Sequence, residues 1–337
     1  MLKYKQPRVT NRGNKLKDKQ VVSKNLLTKT NFLQSQAWAE FQSKISHETI
    51  QKNHQDYRFM AIVERGQFSN RLYCPFGPIV DSPASLKEAL LELKQAAKKR
   101  KLDFVRIEPT SPNITSKDLL EMGLKPAHRD EQPPHTVVND VSISPEKIEA
   151  TLSQTARRYA RKCTKSGITY CTSYKPSDIK FFIDMIHDVS KRTGMKPHSD
   201  TYFQNLAKLL FPTKDAGLMF AELNGKKIAS IIFYKDSQTM SYAHAANLSE
   251  YRKYSPAVGL GLYALKEAHN MGCKWFDWFG VAPAKDDGNP RWKSWQGFTK
   301  FKLSYGGSRV DRVGTWELPI RPLRYKLYRL LLKISGR

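Results

Sequence analysis

The sequence predicts a chain of two structured units, each mixing strands and helices in the α/β or α+β manner, and three observations carry that prediction. Its 337 residues suggest about two domains at roughly 150 residues each. Both halves alternate strand-like runs with runs of helical period as strand–helix–strand blocks. The content of 40% hydrophobic and 11% aromatic residues is enough to bury sizeable cores, which excludes wholesale disorder.

Residues 1–30 are rich in Lys and Arg and read as a flexible basic arm. Phe32–Phe41 opens the first unit as a short helix with one apolar face. Tyr57–Val63 and Arg71–Pro75 read as strands. Ser85 is expected to cap a helix over Leu86–Lys101, in which Leu86, Ala89, Leu90, Leu93 and Ala97 recur at helical spacing. Phe104–Pro109 is a strand ended by proline, Gln132–His135 a turn, and Thr136–Ile143 another strand. Ser144 is expected to cap a long helix over Pro145–Ser166, stopped by Gly167, with Pro145 and Glu146 suited to its first turn. Two more helices are expected over Pro176–Thr193 and Asp200–Leu210. Strands follow at Gly217–Leu223, Ile228–Lys235 and Met240–Ala246, with Asn224-Gly225 as a turn signal. A helix over Pro256–Asn270 leads into a strand over Lys274–Gly280.

The net charge of +26 points to a polyanionic partner, either nucleic acid or an anionic membrane face. No run of 18 apolar residues and no signal peptide is visible, so the protein is expected in the cytosol. Cys74, Cys163, Cys171 and Cys273 form no CxxC pair and no zinc spacing. They are expected to be free thiols, with no metal site and no cofactor.

After the Gly280 loop comes Gly297-Phe298-Thr299-Lys300-Phe301-Lys302-Leu303-Ser304-Tyr305-Gly306-Gly307, which is expected to form a second aromatic strand. A lysine among aromatic residues is costly to bury unless its charge meets a partner, so Lys302 is the candidate for a group facing developing negative charge. The alternative is an edge-strand lysine pointing outward. The segment Ile320–Ile334 interleaves Leu323, Leu327, Leu330, Leu331 and Ile334 with Arg321, Arg324, Lys326, Arg329 and Lys333. Its leucine stripe is expected to pack on the first domain, and peripheral contact with an anionic membrane is the other reading.

Seven short blocks, in order along almost the whole chain, resemble the Fem family of peptidoglycan interpeptide-bridge enzymes. They are Gln34…Trp38, Tyr73–Pro78, Arg106–Pro109, Arg158–Lys162 with Lys165–Ile168, Arg192–Gly194 with Tyr202-Phe203, Phe276–Gly280, and Phe301-Lys302 with Tyr305–Gly307. The resemblance implies an α+β fold of two tandem acetyltransferase-like (GNAT) domains, without the coiled-coil insertion of some members. The expected division is 31–143 plus 319–337 for the first domain and 144–318 for the second. It implies an aminoacyl-tRNA donor and an acceptor amine on a UDP-MurNAc-pentapeptide or lipid II precursor. The protein is expected to be a cytoplasmic monomer working at or near the inner membrane face.

By the same resemblance, Lys302 and Phe301 would sit at the tRNA acceptor end, with the lysine on the transition-state oxyanion. Glu108 would be a general base, an acceptor contact or a strand-end structural carboxylate. Tyr73, Tyr202, Tyr242 and His244 would line the acceptor side, with core or edge packing as the plainer reading of the last two. Gln42 and His198 stand where members carry a Lys and an Arg on precursor phosphates, and Lys44 could substitute. Arg157, Arg158, Arg161, Lys162 and Lys165 share a helix face that either contacts tRNA phosphates or simply faces water. Asp277 would tie down the loop after its strand. Competing readings are a CoA-dependent N-acyltransferase of the same fold and an aminoacyl-tRNA–protein transferase. A non-enzymatic RNA-binding protein is a third. Against the first, the only candidate pyrophosphate loop, Gly259-Leu260-Gly261, has Pro256 where Arg or Gln is needed.

Overall fold

The computed structural model describes residues 31–286 and 291–334, so the basic arm lies outside the described residues. Strands β1 (Glu48–Asn53), β2 (Tyr57–Arg65), β3 (Asn70–Cys74), β4 (Ile79–Val80), β5 (Phe104–Ile107) and β6 (Lys125–Pro126) belong to a first sheet. Strands β7 (His135–Asp140), β8 (Thr169–Ser173), β9 (Ala216–Leu223), β10 (Lys226–Lys235), β11 (Thr239–Asn247), β12 (Trp275–Gly280) and β13 (Ser308–Asp311) form the second. The last strand, β14 (Trp316–Pro319), returns to the first sheet between β5 and β6. The second sheet runs β13-β7-β12-β11-β10-β9-β8, antiparallel except where β11 meets β12. Thr136–Ile143 therefore contributes its strand to the second sheet, ahead of the 143/144 division, and residues 316–318 go with the first.

The helix Pro83–Lys99 begins one turn earlier than Ser85 suggests, because the Ser82 hydroxyl accepts from the Ser85 N–H. It covers one face of the first sheet with Leu86, Ala89, Leu90, Leu93 and Ala97. The long helix expected over Pro145–Ser166 is two helices, Pro145–Thr151 and Gln154–Lys165. Leu152 and Ser153 are extended, and the Ser153 hydroxyl caps the second helix by accepting from the Ala156 N–H, whereas Ser144 makes no side-chain cap bond. Residues Asp200–Leu210 and Pro256–Asn270 are helical over the expected ranges.

The second sheet is buried on both faces. Pro256–Asn270 and Gln154–Lys165 cover one; Ile179–Thr193, Asp200–Leu210 and the N-terminal helix Gln36–Lys44 cover the other. The N-terminal helix joins the two sheets, because the Gln34 side chain just before it is stitched into the first. Gln34 donates to Met60 O at 3.0 Å and Pro75 O at 2.6 Å and accepts from the Met60 N–H at 2.8 Å. The C-terminal helix Pro322–Ile334 packs on the face of the first sheet opposite the helix Pro83–Lys99, through Tyr325 and Tyr328 against Phe104. Its leucine stripe does not pack there, contrary to expectation: Leu323, Leu327, Leu330 and Ile334 are 50% exposed or more.

Candidate active site

The segment expected to be an aromatic strand is a helix, Gln296–Leu303. The reason is periodicity: Phe298, Phe301 and Lys302 stand at i, i+3 and i+4, which places them on one helical face, and Tyr305 at i+7 continues that spacing just past the helix end. Phe301 and Tyr305 pack edge-on, and Tyr305 stacks on Trp278 of β12 at 4.3 Å between centroids. Lys302 is only 8% exposed. Its Nζ donates to Gly280 O at 2.8 Å and lies 5.2 Å from the Phe298 ring centre and 5.5 Å from that of Tyr242. Burial lowers its pKa to about 8, against the opposing pull of Asp277, which favours the ammonium.

The end of β12 is built to present Gly280. Phe279 has φ of 59°, a left-handed conformation that costs a bulky residue about 1–3 kcal/mol. It is held by two hydrogen bonds: Asp277 Oδ1 accepts from the Phe279 N–H at 2.8 Å, and Phe279 O accepts from the Thr136 hydroxyl at 2.9 Å. Asp277 is itself fixed by the Thr136 hydroxyl and, at 3.1 Å, by Arg312 Nη2. This is the loop-tying geometry expected of Asp277. Only glycine fits at 280, since a Cβ there would come within 2.8 Å of Pro133 and Trp295.

Lys302 faces a cavity of about 1080 Å³ that also touches Tyr242, His244, His198, Phe203 and Phe301. The cationic side chains on its wall are Arg192, Lys196, Arg252 and Lys302. A second cavity of about 420 Å³ adjoins it across His198, Ala243, His244 and Phe279, and reaches Gln42, Tyr73, Gln132 and Tyr202 between the two sheets. Gln42, Tyr73, His198, Tyr202, Tyr242 and His244, the residues expected on the acceptor side, thus line these two adjoining cavities.

Lys44 does not line either cavity and is exposed. Two residues past Gln42 on a helix, it points to the opposite side. Gln42 is tied to the His47 ring at 2.6 Å. His198 stacks on Tyr202 at 4.2 Å and meets His244 edge-on at 5.7 Å. Burial lowers the pKa of both histidines, that of His244 to about 3 with help from His198, and drives Tyr202 up to about 12. All three are neutral at pH 7.

Glu108 has its carboxylate fully used. Oε2 accepts from Tyr73 Oη at 2.8 Å and the Phe76 N–H at 3.2 Å; Oε1 accepts from the Gln132 N–H and the Thr315 hydroxyl, both at 2.8 Å. Burial raises its pKa and these four bonds oppose that rise. Four donors on four lone-pair positions leave no room for an amine proton, which is the geometry of a structural carboxylate.

Arg157, Arg158, Arg161, Lys162 and Lys165 come together with Lys266 around one open concavity of about 1020 Å³. This basic helix is joined to the Lys302 helix end to end, because the Ser153 N–H at its start donates to Ser304 O at 2.7 Å. The glycines of the candidate pyrophosphate loop lie inside the helix Pro256–Asn270, where a Cβ on Gly259 would strike Tyr170 and one on Gly261 would strike Tyr305. The chain's own tyrosines fill that space, and Tyr305 Oη donates to Val258 O at 2.9 Å.

Phe279, Arg252 and Trp295 line the cleft and escaped the sequence reading. The bulge between Asp277 and Gly280 that turns Phe279 inward leaves no mark in side-chain spacing. The i, i+3, i+4, i+7 pattern around Lys302 was the visible signal for its helix.

Two mixed sheets with a cleft between them and a buried lysine beside it define an α+β protein of tandem acetyltransferase-like architecture, without a coiled-coil insertion among the described residues. Residues 224–333, a segment that contains Gly280 and Lys302, match the FemAB family model. The whole fold is similar to the crystal structure of FemX, with a TM-score of 0.78 at 15% identity over 94% of this chain and 98% of that one. It is also similar to the C-terminal DUF2156 domain of an Agrobacterium fabrum protein assigned as a lysylphosphatidylglycerol synthetase, with a TM-score of 0.59 at 11% identity over 94% and 96% of the chains. A third similar structure is L-PGS from Bacillus licheniformis, with a TM-score of 0.55 at 12% identity over 92% and 99%. Comparison with curated proteins gave no match. Among the described residues no helix is long and apolar enough to cross a membrane.

Proposed function

We propose that the protein is an aminoacyltransferase that moves an aminoacyl group from the 3′ ester of a charged tRNA to the side-chain amine of a peptidoglycan precursor's stem peptide. The observation that carries this reading is Lys302, a buried cation held by one backbone carbonyl at the wall of the cleft. In the reaction the amine attacks the ester carbonyl, a C–N bond forms and the carbonyl oxygen becomes an oxyanion. Collapse breaks the ester C–O bond, and the proton lost by the amine ends on the ribose oxygen. The Lys302 ammonium has protons beyond the one given to Gly280 O, and a fixed cation in a dry site lowers such a barrier by about 3–4 kcal/mol. Phe301 holds the helix against Trp278 and so positions that cation.

The tRNA backbone fits the basic helix face, whose start is bonded to the end of the Lys302 helix. The acceptor peptide fits the cleft between the sheets, with Gln42, Tyr73, Tyr202 and His198 along its wall. Arg192, Lys196 and Arg252 are the cations available there for precursor phosphate, in place of Lys44. Glu108 acts as a clamp that fixes Tyr73 and the Gln132 loop, and the ribose oxygen or a phosphate takes the amine proton. Coenzyme A is disfavoured as donor because Tyr170 and Tyr305 occupy the glycine surface that its pyrophosphate would need.

The test is incubation with radiolabelled aminoacyl-tRNA and either UDP-linked or lipid-linked pentapeptide, followed by mass analysis of the product. A precursor heavier by one aminoacyl residue is expected. Transfer of acetyl from acetyl-CoA, with none from charged tRNA, would overturn the reading.

A further inference from the structure

The C-terminal helix turns its apolar side outward. Leu323, Leu327, Leu330 and Ile334 stand at i, i+4, i+7 and i+11, a single stripe, and are 81%, 50%, 53% and 73% exposed. The opposite side of the helix is already used, because Tyr325 and Tyr328 are buried against Phe104. Arg324, Lys326, Arg329 and Lys333 flank the stripe, and Pro322–Ile334 contains no Asp or Glu. Phe68, 50% exposed at the β2–β3 turn, lines one groove of about 380 Å³ with Ile334; its wall also carries Arg65 and Arg129, and its two carboxylates, Glu64 and Glu131, are paired with Arg71 and Arg106.

We propose that this helix docks the protein on an anionic lipid surface, lying in the interface plane with its leucine stripe at the headgroup–acyl boundary. Charge complementarity singles out that occupant. Lys326 and Lys333 flank the apolar stripe, each without an ion pair among the described residues, as expected where anionic headgroups meet a half-inserted helix. The N-terminal arm is itself basic and would be repelled from this face. A second copy would bring the same positive flanks together, and a helix about 20 Å long falls short of the roughly 800 Å² per partner of a stable interface. Seen from the lipid, the long lysine and arginine stems reach up to the headgroups while the leucines enter.

One consequence rests on the transfer reading: the acceptor would be met at the membrane, as a lipid-linked precursor. The docking itself is independent of it. The full chain should co-sediment with vesicles of phosphatidylglycerol and phosphatidylcholine, far less with phosphatidylcholine alone, and release as salt rises. Leu327→Asp with Ile334→Asp should cut partitioning at least about tenfold, and Lys326→Glu with Lys333→Glu should do the same. Leu120→Asp, on an exposed apolar residue elsewhere, should change nothing. Melting curves check that each variant is folded. If the chain ignores anionic vesicles, or the stripe variants bind as the parent does, the proposal fails, and binding through the basic arm alone would show up in this second way. A dimer that the stripe variants dissociate would overturn it in favour of a copy–copy contact. With vesicle-borne precursor the stripe variants should lose turnover, while turnover of the UDP-linked form persists. No transfer to either form would refute the transfer reading and leave the docking standing.

Discussion

Lys302 carries its charge at a cost that the fold has arranged to be recoverable in the reaction. Burial lowers its pKa from 10.5 to about 8, so the ammonium is favoured less in the folded chain than in the unfolded one. The unfolded chain therefore binds more protons between about pH 8 and pH 10.5, and stability should rise with pH across that window. Urea unfolding at pH 7.5 and 9.5 checks this, with Lys302→Met expected to remove the rise. Activity should run the other way, because the cation meets the oxyanion only below its pKa. The transfer rate should fall above about pH 8, and Lys302→Arg, if it turns over at all, should move that fall to higher pH.

The strand β12 and the helix after it were unequally legible. The residues Phe276–Gly280 read as a strand ending at glycine, and they are one. The Lys302 segment read as a strand because its aromatic density outweighed its period, although the spacing of Phe298, Phe301, Lys302 and Tyr305 is helical. Glu108 was visible as a strand-end acid, but its four donors come from Tyr73, Phe76, Gln132 and Thr315, far apart in the chain, and no local pattern announces them. The leucine stripe of the last helix was visible too; which side faces water depends on Tyr325 and Tyr328 finding Phe104, a tertiary event. At this scale Gly280→Ala is the informative change. Its methyl would press on Pro133 and Trp295, shift the carbonyl that holds Lys302, and cut turnover by about 100-fold as a misplacement on the order of 1 Å does. Steady-state kinetics should show the loss in kcat, with a melting temperature lowered because Pro133 and Trp295 must give way to the methyl.

Across the whole molecule, the last helix and β14 bind to the first sheet through a buried charge network. Arg106, 2% exposed, donates to Glu317, 0% exposed, to Glu131 and to Tyr328, and Glu317 also accepts from Tyr325. Arg106→Met would leave the buried Glu317 carboxylate with only the Tyr325 hydroxyl and Arg329 at 3.4 Å, and should destabilise the fold by about 3 kcal/mol, measured by denaturant unfolding. The basic face adds a long-range term: binding of charged tRNA should weaken steeply with salt, and Arg158→Glu or Arg161→Glu should each reduce the log–log slope by about 1. The measurement that tests the central claim most directly is single-turnover transfer from charged tRNA to precursor by Lys302→Ala beside the parent chain, with tRNA binding and melting followed in parallel. A loss of about 10²–10³ in rate, with binding and fold retained, is the predicted result. Turnover equal to the parent's would contradict the assignment of Lys302 to the oxyanion.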